Sequence, residues 1–240
     1  VFRIPEYKTI IQRLGFNNKG LKKFLSNIIS SEDRKKKILG INVGKNSNSD
    51  NYISDYKNLI QSCSPYANYL VLNISSPNTP NLRKLHNIES FTKIIKAILN
   101  ERDSHLHKPK ILVKLSPDEE DIAYRDLIDT VNQTDIDGVI VSNTTNNKTL
   151  KDQLNIGHLP GGISGKYLRD SSNKILKEIK SIIRDEKIIV AVGGVFDVDS
   201  YNEKLEIGAD LVQMYTGLIY EGPNLVKRII ENDKQISRNS

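Results

Sequence analysis

The chain is poor in the residues that build disulfides and metal sites. Its 240 residues include one cysteine, Cys63, one methionine, four histidines and no tryptophan. A single cysteine excludes an intrachain disulfide and a zinc site built on cysteine thiolates. The histidines stand apart or, like His105 and His107, lie in a predicted loop, and none belongs to a motif with metal-ligand spacing. We therefore expect no metal in the functional site.

Long apolar runs are also missing. No stretch of the sequence approaches the roughly 18 apolar residues of a membrane span. The first residues, Val1 to Pro5, have neither the basic start nor the apolar run of a secretory signal. Hydrophobic residues make up 38% of the chain and charged residues 27%, which is typical of a folded globular protein. Because no low-complexity linker divides the sequence, we expect one domain over residues 1–240.

Positive charge exceeds negative charge, but its distribution identifies no partner. The formal net charge is +6, which permits attraction to anions such as phosphate or an acidic membrane surface. The basic residues are scattered apart from residues 34–37, which directly precede a predicted strand. A solvated loop is a better interpretation of this run than a nucleic-acid-binding patch. Non-specific RNA binding rests on charge alone, and we expect no nucleic-acid partner.

Short apolar runs alternate along the chain with amphipathic stretches of helical period. The predicted strands are residues 38–43, 68–73, 110–115, 137–142, 187–192 and 210–215. Helical patterns lie near 50–63, 87–102, 119–133, 171–185, 197–207 and 223–235. The strands are apolar on both faces, which is typical of a parallel sheet covered by helices. This alternation predicts an α/β fold with right-handed crossovers.

Polar residues gather where the predicted strands end. These ends carry Gly44 to Asn46, Asn73 to Thr79, Lys114 to Ser116, Ser142 to Thr145, Gly193-Gly194 and Tyr215-Thr216. An open doubly wound sheet binds ligands mainly at one switch point, whereas nearly every strand contributes here. The pattern therefore favours a (β/α)8 TIM-type barrel, of which about six of the eight βα units are present. Residues 1–37 show no strong parallel strand, so we expect the first two barrel strands to lie outside this sequence.

Two glycine-rich segments suggest a phosphorylated ligand. Gly161 to Gly165 precedes a predicted helix, and Gly193-Gly194 follows a predicted strand. Glycine lets backbone amides approach an anion closely, and loops after the last two strands of such barrels commonly hold phosphate. There is no G-x-G-x-x-G after a strand and no P-loop, so neither a Rossmann dinucleotide site nor a P-loop ATPase is supported.

A lysine and several asparagines are unusual at their positions. Lys114 lies within an apolar strand, where an unpaired charge is costly. It is a cation that faces an electron-rich cofactor, part of a structural ion pair, or an interior lysine that snorkels to the rim. Asparagine is disfavoured in strands, yet four lie at or just after strand ends, where together they can grip a ligand with several carbonyl and amide edges: Asn42, Asn73, Asn78 and Asn143.

In combination these motifs resemble the class 2, quinone-dependent dihydroorotate dehydrogenase family, from Val1 to about Lys234. The matching motifs are Gly15 to Asn18, Asn42 to Asn46, Asn73 to Thr79, Val113 to Asp118, Val141 to Thr145, Gly161 to Gly165, Gly193-Gly194 and Gln213 to Thr216. The resemblance implies an FMN-containing barrel that oxidises (S)-dihydroorotate to orotate in pyrimidine biosynthesis, with a ubiquinone-type electron acceptor. It also implies a location at the mitochondrial inner membrane, with the membrane-binding segments outside this sequence.

The resemblance assigns roles to individual residues. Ser76 matches the base that takes a proton from C5 of dihydroorotate while C6 delivers hydride to flavin N5, and Thr79 and Phe16 match positions linked to that proton relay. Substrate contacts are expected from Gln12, Asn73, Asn78, Asn143 and Thr144, and FMN contacts from Asn42, Asn73, Lys114, Ser142, Gly165, Gly194, Tyr215 and Thr216. Gln12 departs from the asparagine usual in the family, and its longer side chain puts that contact in doubt.

Two other interpretations stay open at the level of sequence. A different flavin barrel, such as a reductase of pyrimidines or of tRNA dihydrouridine, should carry a cysteine acid near the substrate, and Cys63 lies in a predicted helix instead. A truncated or degenerate flavin barrel could act as a binding protein without catalysis. The expected missing strands and Gln12 favour that alternative, whereas intact Ser76 and Lys114 argue against it.

Overall fold

Two sheets organise the part of the chain that the structure describes. This computed structural model describes residues 1–32, 36–46, 49, 51–75, 88–119 and 121–239. The strands in chain order are β1 (Phe2–Ile4), β2 (Thr9–Gln12), β3 (Gly40–Val43), β4 (Tyr69–Asn73), β5 (Lys110–Lys114), β6 (Gly138–Val141), β7 (Gly162–Gly165), β8 (Ile188–Val192) and β9 (Leu211–Gln213). A six-stranded sheet has the order β3-β4-β5-β6-β8-β9, and a three-stranded sheet has the order β1-β2-β7.

Nine α-helices lie between and after the strands in the described part of the chain. They are α1 (Leu21–Ser30), α2 (Tyr52–Cys63), α3 (Ile88–Asp103), α4 (Asp121–Asn132), α5 (Lys148–Gln153), α6 (Arg169–Ile182), α7 (Val198–Ile207), α8 (Thr216–Glu221) and α9 (Asn224–Asn239). All six strands of the larger sheet pair in parallel with their neighbours. The α/β prediction is therefore confirmed, and each predicted strand and helical pattern overlaps an observed element. None of the helices, over the described residues, is both long and apolar enough to span a bilayer.

The two faces of the parallel sheet bury different apolar layers. Because successive side chains of a strand point to opposite faces, Leu70 and Leu72 of β4 pack into the large core beneath the helices. Val71, between them, packs with Leu112, Ile140 and Val190 into a separate inner cluster. One such residue per strand is the layered filling expected inside a barrel. This double burial explains why the strands are apolar on both faces.

The sheet matches six units of the predicted eight-unit barrel. In the described part of the chain β3 and β9 are its outer strands, and each pairs with one neighbour. The prediction of about six βα units within a TIM-type α/β fold is thus confirmed. The basic run at residues 34–37 falls partly outside the described residues, while Lys36 and Lys37 are exposed.

The small antiparallel sheet differs from what the sequence pattern indicates. Gly161 to Gly165 is not among the predicted strands, but Gly162–Gly165 forms β7 and pairs antiparallel with β2. A Cβ on Gly161 would lie 2.3 Å from the carbonyl oxygen of Gln12, so only glycine permits this close approach of two backbones. Low β-propensity of glycine hides such a strand from pattern analysis. The pairing places Gln12 beside the glycines at the rim of the larger sheet.

Burial in α4 generates a direct test of the helix-covered core. Leu127 is fully buried in that core, whereas Ile122 of the same helix is 72% exposed. We expect Leu127→Ala to lower the free energy of unfolding by about 2–5 kcal/mol through lost burial and a residual cavity. Ile122→Ala is the matched control and should change it by less than about 0.5 kcal/mol. Urea titration monitored by circular dichroism measures both, and equal losses would contradict this placement of α4.

Candidate active site

A cavity of about 910 Å³ opens at the carboxyl ends of the parallel strands. Its volume lies within the range of small-molecule and cofactor sites. Every predicted site residue that the structure describes lines it: Gln12, Phe16, Asn42, Asn73, Lys114, Ser142, Asn143, Thr144, Gly165, Gly194, Tyr215 and Thr216. Ser76, Asn78 and Thr79 lie outside the described residues. The cavity therefore brings together the residues that the sequence scatters over six strand ends.

Strand geometry explains why these polar side chains share one space. Asn73 follows Val71 by two residues in β4, and Lys114 follows Leu112 by two in β5. A period of two puts each polar residue on the inner face, one layer above the apolar cluster. Parallel pairing aligns the layers, because Asn73 lies opposite Lys114 in the register. The inner apolar layer thus forms the floor of the site and a polar layer forms its lining.

A hydrogen-bond network ties three of these strand ends together. The side-chain amide of Asn143 donates to the carboxamide oxygen of Asn73 at 3.1 Å and to the hydroxyl of Ser75 at 3.0 Å. Ser75 in turn donates to the carbonyl of Lys114 at 2.7 Å. Behind the network, the buried hydroxyl of Tyr56 donates to the carbonyl of Asn73 at 3.0 Å. These contacts hold the ends of β4, β5 and β6 in a fixed relation.

Lys114 gives the cavity its charge. It is the only charged side chain among the described residues that line the cavity. Its ammonium forms no hydrogen bond or ion pair with any other described residue. Burial lowers the pKa of Lys114 below its ordinary value, because desolvation penalises the charged form. The alternative of a structural ion pair at Lys114 thus has no support in the described part of the chain.

The loop after β6 is anchored by an aspartate from the preceding unit. Asp118, which lies between β5 and α4, reaches across to this loop. Its carboxylate accepts hydrogen bonds from the hydroxyl of Thr145 and, at 2.8 Å, from the backbone amide of Asn146. The loop also folds on itself, since the amide of Thr144 donates to the Asn143 side chain at 2.9 Å. Asp118 therefore fixes the segment that presents Asn143 and Thr144 to the cavity.

Backbone and hydroxyl groups form the far end of the cavity. Gly165 and Gly194 adopt φ values of +115° and +74°, which L side chains rarely adopt. Thr216 donates from its hydroxyl to that of Ser164 at 2.9 Å, while Tyr215 is 73% exposed. Ser164 is a lining residue that the sequence analysis does not assign, although a hydroxyl between glycines was a usable signal. This end offers neutral donors and lacks carboxylates among its described residues.

Phe16 and Gln12 border the opposite side of the cavity. Phe16 has a φ of +61°, uncommon for a residue with a side chain. Its ring lies against Gly44, where a Cβ would meet ring atoms at 2.8 Å. The Gln12 carboxamide oxygen accepts from the amide of Leu14 at 2.8 Å. The longer Gln12 side chain is therefore partly engaged with its own loop.

Comparison with known proteins gives these features a family. A family model described as Dihydroorotate dehydrogenase matches residues 1–236. The chain belongs to the dihydroorotate dehydrogenase family. The family match thus covers all the strands of both sheets and every described residue that lines the cavity.

Curated relatives and solved structures agree with the family assignment. The dihydroorotate dehydrogenase (quinone) of Marinobacter nauticus is 38% identical over 96% of this chain and 69% of its own length. That of Dichelobacter nodosus is 39% identical over 95% of this chain and 69% of its own length. A crystal structure of the Eimeria tenella dihydroorotate dehydrogenase in complex with ferulenol has a TM-score of 0.88 and 30% identity, covering 95% of this chain and 67% of that one.

The desolvated ammonium of Lys114 leads to a prediction about stability. In the ligand-free family member, we expect Lys114→Met to raise the free energy of unfolding at pH 7 by on the order of 1 kcal/mol, because it removes a desolvated cation. The gain should shrink as the pH rises from the lowered pKa of folded Lys114 towards 10.5, the ordinary lysine pKa. Over that range the folded wild type binds fewer protons than the unfolded chain, so rising pH stabilises the wild type. Urea titrations at pH 7 and at higher pH measure the difference.

The matched control for that prediction is Lys96→Met in α3. Lys96 is exposed, so its replacement should change the free energy of unfolding by less than about 0.5 kcal/mol at either pH. A loss of stability in Lys114→Met at pH 7 would show that the ammonium is stabilised in the folded chain.

Proposed function

We propose that this chain carries the flavin- and substrate-binding rim of a dihydroorotate dehydrogenase that oxidises dihydroorotate to orotate for pyrimidine biosynthesis. The observation that carries the proposal is the cavity in which an amide network lies beside Lys114, whose ammonium has no partner among the described residues. The named function of its relatives, dihydroorotate dehydrogenase (quinone), supports the same activity and a quinone as the electron acceptor. We treat residues 1–240 as one FMN-binding domain.

The lining of the cavity fits FMN. An FMN phosphate needs donors without nearby carboxylates, and the end of the cavity formed by Gly165, Gly194 and Thr216 offers them. Lys114 lines the same cavity without a partner of its own among the described residues. A cation there can stabilise the negative charge that a flavin gains on reduction. We assign further contacts with the cofactor to Asn42, Asn73, Ser142 and Tyr215. Bound FMN would supply the acceptor for the hydride that leaves the substrate.

The amides suit the substrate. Dihydroorotate is a cyclic ureide with a carboxylate, so its edge alternates carbonyl acceptors with N–H donors. Carboxamide side chains such as those of Asn73 and Asn143 can both donate and accept, and the network already fixes their orientation. We assign substrate contacts to these two residues and to Gln12, Asn78 and Thr144. Orientation before reaction reduces the entropy lost in reaching the transition state.

We assign the proton transfer to Ser76. Oxidation of the substrate would move a proton from C5 to Ser76 and leave a double bond between C5 and C6, with bound FMN supplying the acceptor for the hydride from C6. A serine hydroxyl is a weak base and needs activation. We assign Thr79 and Phe16 to the proton relay that would activate it. The described residues immediately before Ser76 are anchored, because Ser75 is buried and donates to Lys114. This anchoring supports a fixed starting point for the catalytic segment.

A reductase that protonates its substrate with a cysteine is the poorer alternative. Cys63 is the single cysteine of the chain, and it lies in α2, buried in the helix-covered core. Burial raises the pKa of its thiol to about 11, which disfavours proton transfer near neutral pH. Cys63 is also absent from the described lining of the cavity. No feature of the described residues favours the interpretation as a non-catalytic binding protein.

The cellular setting follows from the resemblance and stays a prediction. We infer membrane association and a ubiquinone-type acceptor from that resemblance. The curated relatives described above are bacterial proteins, so they give no support to a mitochondrial inner-membrane location.

The visible spectrum of the purified protein tests the function. We expect a bound flavin whose absorption bleaches when dihydroorotate is added without oxygen, because hydride transfer reduces the flavin. Addition of orotate, the product, is the matched control and should leave the band unbleached. A colourless protein that takes up no FMN, or a bound flavin that dihydroorotate does not reduce, would contradict the proposal.

Ser76→Ala tests the assigned base. We expect this variant to keep its flavin while dihydroorotate reduces it about 10²- to 10⁴-fold more slowly, the range attributed to a general base. Ser181→Ala, at an exposed position of α6, is the control and should reduce normally. Stopped-flow absorbance under anaerobic conditions measures the rate. Reduction of Ser76→Ala at the normal rate would remove Ser76 from this role.

A further inference from the structure

A fully buried lysine lies outside the cavity, in helix α7. Lys204 is 0% exposed, and burying an ammonium without compensation is costly. Within the described part of the chain it forms no ion pair; its ammonium donates a hydrogen bond to the hydroxyl of Ser172 in α6. The proposed chemistry uses neither residue. The free-energy cost of burying this ammonium therefore needs an explanation outside the proposed chemistry.

Ser172 connects this lysine to the glycine turn after β8. Its hydroxyl oxygen lies 3.3 Å from the carbonyl of Gly193 and 3.2 Å from that of Arg169. An ammonium can only donate, so Ser172 accepts from Lys204 and directs its own proton towards these carbonyls. Lys204, Ser172 and Gly193 thus form a chain of hydrogen bonds that leads from the protein interior to the turn.

The turn itself separates this buried chain from the cavity. Gly193 and Gly194 have φ values of +124° and +74°, and both line the cavity. On the opposite side, a Cβ on Gly193 would lie 3.0 Å from the Ser172 hydroxyl, and one on Gly194 would lie 2.5 Å from Cβ of Arg169. The turn therefore rests directly on the start of α6. The orientation of its peptide groups therefore depends on the residues at the start of α6 that contact it.

The surroundings leave Lys204 charged at neutral pH. Burial lowers its pKa to about 8, with Glu203 and Asp170 raising it and Arg169 lowering it further. Glu203 is itself engaged, since Arg169 donates to its carboxylate at 2.6 Å. The cation beneath the turn is therefore not neutralised by a direct ion pair.

We propose that Lys204 is a positioning residue for the phosphate of FMN. It acts through Ser172 to fix the Gly193–Gly194 turn so that its backbone faces the anion, and it adds positive potential from behind. This inference rests on the proposed function, because the anion is the phosphate of the proposed cofactor. The affinity for riboflavin, which lacks the phosphate, should not depend on Lys204.

The test compares the affinities of FMN and riboflavin for flavin-free full chain, measured by quenching of flavin fluorescence. We expect Lys204→Met to weaken FMN binding by about 10- to 100-fold, the range for a charge-assisted contact. Riboflavin affinity should change by less than about threefold, because the isoalloxazine contacts are untouched. Lys177→Met removes an equal charge from an exposed position of α6 and should leave both affinities unchanged.

A second variant tests the connecting hydroxyl. Ser172→Ala should also weaken the binding of FMN and leave that of riboflavin unchanged. The double variant should bind FMN as well as Lys204→Met does, within about twofold, because both residues act through one chain of contacts. Ser172→Ala also supplies the answer if Lys204→Met does not fold.

The outcomes separate this inference from the proposed function. A wild-type chain that binds neither flavin would contradict the proposed function. If the wild type binds FMN but the variants lose affinity for FMN and riboflavin equally, or lose affinity for neither, Lys204 does not position the phosphate. Additive losses in the double variant would overturn the path through Ser172.

Discussion

The carboxamide of Asn143 links the side chains at the ends of neighbouring strands. It donates to Asn73 and Ser75, and Ser75 donates to the backbone of Lys114. Its partners lie 70 and 68 residues away along the chain. The site therefore exists only after β4, β5 and β6 have paired in register. Hydrogen-bond networks of this kind stiffen a site.

Two buried cations make the same rim electrostatically unusual. Lys114 is inside the cavity and Lys204 lies behind its glycine turn, and burial lowers the pKa of both. Neither ammonium forms an ion pair with the described residues. Such charges lower the stability of the ligand-free fold, yet each would be compensated by a negative group in the cavity. Proteins commonly accept this loss of stability where a charged ligand must bind.

The small antiparallel sheet completes the rim by a different route. Strand β7 can lie against β2 because Gly161 leaves room for the carbonyl of Gln12. That pairing brings Gln12 to the cavity from the N-terminal part of the chain and Ser164 from the middle. The rim is thus assembled from parallel strand ends on one side and from a glycine-rich antiparallel strand on the other.

Local sequence was sufficient for the strand–helix alternation and for the polar residues at strand ends. Strands buried on both faces are continuous apolar runs, and a residue such as Asn73 or Lys114 at their end is conspicuous for that reason. Tertiary structure alone decided the partners of Asn143, the pairing of β7 and the position of Lys204 beneath its turn. These depend on contacts between residues distant in sequence, and a periodic pattern carries no information about them. Glycine and lysine are ordinary loop and surface residues until the fold brings a backbone or a cavity beside them.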